Sequence, residues 1–124
     1  MKLQDIHHYF EAPKPFYLTK EMAVCYILST LLERGESFGV EMMQNIEEEN
    51  AGYRLSETVL ITALKFLEGE GFVESYWLSV GKGRPRRMYQ VKPRKRKLAR
   101  PLADLWQTYQ AKQTKSMIPE RRFG

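Results

Sequence analysis

The sequence predicts a mainly helical α+β fold, with a strand hairpin placed late in the chain and a separate helix after it. Three observations predict it. Apolar residues recur at helical spacing in three successive segments between residues 19 and 69. Two β-branched and aromatic runs, Phe72 to Val80 and Arg87 to Val91, flank a turn containing Gly81, Gly83 and Pro85. A last stripe, Leu98, Leu102, Leu105 and Tyr109, returns to spacings of four, three and four.

The elements follow in order. Residues 1–17 form an arm in which Tyr9, Phe10, Phe16 and Tyr17 surround Pro13 and Pro15, and the prolines argue against a continuous helix there. The aromatics imply that the arm docks, on its own domain or on a second copy. A first helix should run from Thr19, as N-cap, to Arg34, with Gly35 as its stop. Its stripes, Met22-Cys25-Leu28-Leu32 and Val24-Ile27-Leu31, lie on two faces, the pattern of a central, buried helix. A second helix starts near Ser37, carries Val40, Met43 and Ile46, and ends in the acidic run Glu47-Glu48-Glu49.

The third helix opens at Ser56, with Leu60, Ala63, Leu64 and Leu67 as its inward face. Its other face, Thr58, Ile61, Thr62 and Lys65, is short-chained and nearly uncharged. The connection between the two strands is basic, with Lys82, Arg84, Arg86 and Arg87 in it or beside it. Pro101 suits the first turn of a final helix reaching about residue 115, and residues 116–124 read as a frayed end. The expected organisation is thus an arm at 1–17, a domain at 18–94, a helix at 95–115 and a tail at 116–124.

Charge is divided unevenly. Before Lys82 the chain holds six basic and thirteen acidic residues, and from Lys82 onward fourteen basic and two acidic, so the net charge of +5 hides strong polarity. Such a positive stripe is the footprint of a polyanionic partner, because each cation placed on a phosphate releases condensed counterions. Core-type residues threaded through it (Met88, Tyr89, Val91, Leu98, Leu102, Leu105) distinguish it from a solvated tail.

Helix, helix, helix, strand, basic hairpin is the order of a winged helix-turn-helix domain, whose partner is double-stranded DNA. On this reading Thr58, Ile61, Thr62 and Lys65 face the major groove, and Lys82, Arg84, Arg86 and Arg87 form the wing on phosphate or minor groove. Arg87 has a competing reading as a strand residue paired with Glu74. Leu98, Leu102, Leu105, Trp106 and Tyr109 have little remaining domain to cover, so a homodimer seam is their expected use.

The chain resembles the PadR-type transcriptional regulators at four stretches. These are Ser37-Phe38-Gly39-Val40-Glu41; Leu55-Ser56 with Ala63-Leu64; Leu67-Glu68-Gly69-Glu70-Gly71-Phe72-Val73; and, most specifically, Gly83-Arg84-Pro85-Arg86-Arg87-Met88-Tyr89. The resemblance covers roughly residues 20 to 92. It implies a dimeric winged-helix repressor whose C-terminal helix crosses to the partner. Leu60, Ala63 and Leu64 keep the family pattern, whereas an exposed threonine is replaced by Val59, a tyrosine by Ile61 and a proline by Thr62. That rewriting motivates the alternative of a protein-interaction module without sequence-specific DNA binding, built on an exposed Val59–Ile61 pair.

Other classes are disfavoured. An RNA binder lacks an aromatic-bearing sheet or Gly-rich clamp. An enzyme lacks a nucleophile elbow, a phosphate-cradling loop and a Ser-His-Asp set. No metal site or cofactor is expected: His7 and His8 are adjacent and diverge, and no ligand pattern completes them. The single Cys25 sits in an apolar run and fits a reducing compartment. The longest apolar stretch is too short for a bilayer, and the start lacks a secretory signal, so a cytoplasmic protein away from membranes is expected. By the same resemblance, Trp106 is a candidate stacking surface for a small aromatic effector, with a dimer-seam anchor as the competing reading.

Overall fold

A computed structural model describes residues 2–4, 16–50 and 52–117, with side chains of the last helix to residue 112. His7, His8, Tyr9, Phe10, Pro13, Pro15 and residues 118–124 lie outside the described residues.

The chain runs β1 (Phe16–Tyr17), α1 (Lys20–Arg34), β2 (Ser37–Phe38), α2 (Gly39–Glu49), β3 (Tyr53–Arg54), α3 (Glu57–Gly69), β4 (Val73–Leu78), β5 (Arg86–Val91), a 3-10 turn (Pro93–Lys95) and α4 (Arg96–Met117). The fold is therefore the α+β, mainly helical one expected. At the end of the arm, β1 pairs in parallel with β3, Phe16 opposite Tyr53 and Tyr17 opposite Arg54.

The first helix forms as its ends dictate. Thr19 accepts a hydrogen bond from the Met22 amide at 3.2 Å, and Gly35, at φ 94°, sends its N–H to the Leu31 carbonyl at 2.8 Å. Eight consecutive or near-consecutive residues of α1, from Ala23 through Leu32, are buried, because α3 and α4 pack on it from different sides. In α2 the inward pair is Met42 and Ile46, while Val40 stands exposed, so the Val40-Met43-Ile46 stripe is rotated from the one expected. Gly39 opens α2 close against Leu60, where a Cβ would lie 3.1 Å from Leu60 Cδ2.

The second sheet has order β2-β5-β4, both pairings antiparallel. Val73, Tyr89 and Val91 turn toward the core, anchoring the hairpin to the helices.

The last helix departs most from expectation. Its span, Arg96–Met117, is near the 95–115 expected, but Pro101 lies inside it rather than in its first turn. It turns a face of Ala99, Ala103 and Trp106 onto its own domain, with Leu102 and Tyr109 half-buried beside them. Two alanines let α4 approach α1 closely, and Trp106, 3% exposed, fills the remaining space with its ring 5.5 Å from Tyr26 and 5.9 Å from Tyr53. This helix does have its own domain to cover, contrary to the sequence expectation. Trp106 is thus a core residue of its own protomer rather than an open stacking surface, and Leu98 and Leu105 are left exposed at 59% and 60%.

Burial also fixes a pH dependence. Tyr26 is buried and donates its hydroxyl to the Met42 carbonyl at 2.7 Å; burial pushes its phenol up to about 12. The neutral form is the one the fold holds, so this contribution is complete below the unfolded value of 10 and is lost as pH rises through 12. Denaturant midpoints should fall between pH 10 and 12, and Tyr26→Phe should flatten that fall; an equal decline in the variant would exclude Tyr26 as its source.

Candidate nucleic-acid interface

The helix-turn-helix unit is α2, the segment through β3, and α3. Ser56 caps α3 by accepting from the Val59 amide at 3.2 Å, and Leu60, Ala63, Leu64 and Leu67 are buried as predicted. Burial of that face leaves Thr58, Ile61, Thr62 and Lys65 outward, at i, i+3, i+4 and i+7. Thr62 donates its hydroxyl to the Thr58 carbonyl at 2.9 Å. Val59 is half-buried against the core, so the exposed Val59–Ile61 pair behind the protein-interaction alternative does not form.

Beside this face the hairpin projects. Its turn closes with the Gly83 amide on the Val80 carbonyl at 3.2 Å, and Lys82, Arg84, Arg86 and Arg87 are all exposed. They are not equivalent. Arg87 is held inside the fold: its Nη2 reaches Glu68 Oε2 at 3.1 Å and its Nε reaches Ser75 Oγ at 2.9 Å. An intramolecular ion pair was the competing reading of Arg87, but the carboxylate is Glu68 of α3, since Glu74 lies opposite Gln90 and takes its amide instead. Arg86 lies over the Phe38 ring, 4.5 Å from its centroid. Lys82 and Arg84 make no ion pair among the described residues.

A groove of about 830 Å³ separates the hairpin from the starts of α2 and α3. Val40 and Ile61 line it from the helices, and Trp77, Val80, Arg84 and Arg86 from the hairpin. The groove therefore brings Ile61 together with Arg84, Arg86 and Arg87. Thr62 instead borders a smaller cleft of about 240 Å³ with Lys20, Val24 and Phe66 on the other flank of α3. Thr58, Lys65 and Lys82 line neither. Val40 and Trp77 were not anticipated here. The signal for Trp77 was its place in a hairpin strand whose outer half, through Leu78, is exposed.

The five residues expected at a homodimer seam differ in burial. Leu98 and Leu105 are exposed, Leu102 and Tyr109 half-buried, and Trp106 buried within its own protomer. No group of three or more His, Cys, Asp or Glu side chains suited to a metal occurs among the described residues. No described helix is long and apolar enough to cross a membrane.

A helix-turn-helix followed by a two-stranded, arginine-bearing wing defines a winged-helix transcription regulator. Residues 27–100 match the transcriptional regulator PadR-like family, and the chain belongs to that family. It is similar to the circadian clock associated protein Pex from Anabaena, at 51% identity over 92% of this chain and 99% of that one, with a TM-score of 0.81. It is similar also to Pex from Synechococcus, at 47% identity over 90% and 99%, TM-score 0.73. A transcriptional regulator from Clostridium thermocellum aligns at 28% identity over 79% and 95%, TM-score 0.60. No curated protein sequence shows comparable similarity.

Proposed function

We propose that the protein is a homodimeric, sequence-specific double-stranded DNA-binding repressor that acts in clock-associated gene expression. The observation that carries DNA binding is the juxtaposition of the nearly uncharged α3 face with a wing whose Lys82 and Arg84 have no carboxylate partner among the described residues. Thr58, Ile61, Thr62 and Lys65 probe the major groove, while Lys82, Arg84 and Arg86 take phosphate or minor groove. Arg87 serves mainly to brace the wing on Glu68, since its charge is already matched. The clock role rests on similarity to the two Pex proteins.

Leu98 and Leu105, one heptad apart and exposed, support pairing through the outer face of α4, with Leu102 between them. Leu105→Glu should convert a dimer to a monomer in sedimentation equilibrium while the far-ultraviolet circular dichroism is retained; an unchanged mass would place the seam elsewhere. Two wings related by a twofold axis imply half-sites about one helical turn, roughly 34 Å, apart. Selection of bound fragments from random duplex DNA should return an inverted repeat at that spacing. Recovery of unenriched sequence, or equal affinity for a scrambled duplex, would overturn the proposal.

A further inference from the structure

We infer that the exposed face of α3 selects thymine through its 5-methyl group, with Ile61 as the principal receiving side chain and Val40 beside it in the same groove. The inference rests on the DNA-binding reading above and adds to it the base that is read.

The chemistry of the face leads there. A recognition helix usually offers amides, guanidinium groups or free hydroxyls to base edges. Here the centre of the face is Ile61, 44% exposed, with no hydrogen-bonding group at all. Its neighbour Thr62, on the other flank of α3, has its hydroxyl hydrogen committed to the Thr58 carbonyl at 2.9 Å and is left only as an acceptor. Val40, 53% exposed, projects from the start of α2 into the same groove as Ile61. Of the four face residues only Thr58 and Lys65 keep a donor to give.

An apolar side chain pressed on a base edge strips water from it without replacing the lost hydrogen bonds. That is unfavourable against guanine N7 and O6 or the cytosine amino group. Thymine alone among the four bases carries an apolar group on its major-groove edge. Arg84 and Arg86, which line the same groove from the hairpin, supply the complement for the flanking phosphates, which makes duplex DNA, rather than an apolar peptide, the occupant suited to it.

The test uses the selected duplex and the full chain. Each thymine is replaced in turn by deoxyuridine, which removes the methyl and nothing else. At one or two positions per half-site Kd should rise about 4-fold, the value of one buried methyl. In Ile61→Ala the thymine-to-deoxyuridine ratio at such a position should fall toward unity, with thermal unfolding close to that of the parent because Ile61 is outside the core. Unchanged Kd at every thymine, or a selected site without thymine beneath α3, would overturn the inference while leaving sequence-specific binding intact. Absence of any preferred duplex would instead remove the DNA-binding reading on which it stands.

Discussion

Trp106→Ala should cost about 3–5 kcal/mol of unfolding free energy, a large part of what a domain of this size has. The ring is enclosed by Tyr26, Tyr53 and Tyr109 at centroid distances of 5.5, 5.9 and 6.1 Å, so its removal leaves a cavity that rigid aromatic neighbours cannot close. Ala99 and Ala103 add little bulk of their own, which makes Trp106 the main weld between α4 and α1. The Gln107 amide to Ser29 Oγ at 2.6 Å is the nearby polar contact that would remain. Denaturant unfolding followed by circular dichroism checks this. A loss under about 1 kcal/mol would mean the ring is not a core element. Because α4 also presents Leu98 and Leu105, the same variant should weaken association, and its dimer fraction should fall with its stability.

Lys82→Ala combined with Arg84→Ala should weaken binding to the selected duplex about 10²-fold or more near 0.15 M salt, since a dimer then loses four phosphate contacts. The slope of log affinity against log salt should flatten by about 3 to 4, following the loss of about 0.9 per contact. Arg87→Ala offers the internal contrast. Its guanidinium is matched by Glu68 at 3.1 Å, in an exposed pair worth at most about 1 kcal/mol, so stability should drop slightly and the salt slope should hardly change. Equal effects from Arg87→Ala and from the double variant would contradict the distinction between braced and free cations.

Much of this architecture was legible in residue order. The caps at Thr19, Ser56 and Gly35, the inward face of α3 and the hairpin each announce themselves through short-range rules of spacing and turn chemistry. The two-residue strands Phe16–Tyr17, Ser37–Phe38 and Tyr53–Arg54 are too short to carry a period, and tertiary pairing alone creates them. On α4 the inward face was hidden, because alanine at Ala99 and Ala103 marks close helix packing yet reads as neutral in sequence. The strand position of Arg87 marked it as a candidate for an internal ion pair, but its partner Glu68 lies in a different element, so cross-strand pairing pointed to Glu74 instead. Val40 was misplaced for the same kind of reason: the face α2 turns inward, Met42 and Ile46, is chosen by tertiary packing.

The most direct test of an arginine-bearing wing seated on duplex DNA is the affinity of the unaltered protein for its selected site across salt concentration. With about six to ten phosphates engaged by a dimer, binding should weaken by about 10³-fold or more between 50 and 200 mM salt. Affinity that stays level over that interval would contradict the account, because no set of lysines and arginines neutralising phosphates can bind without releasing counterions.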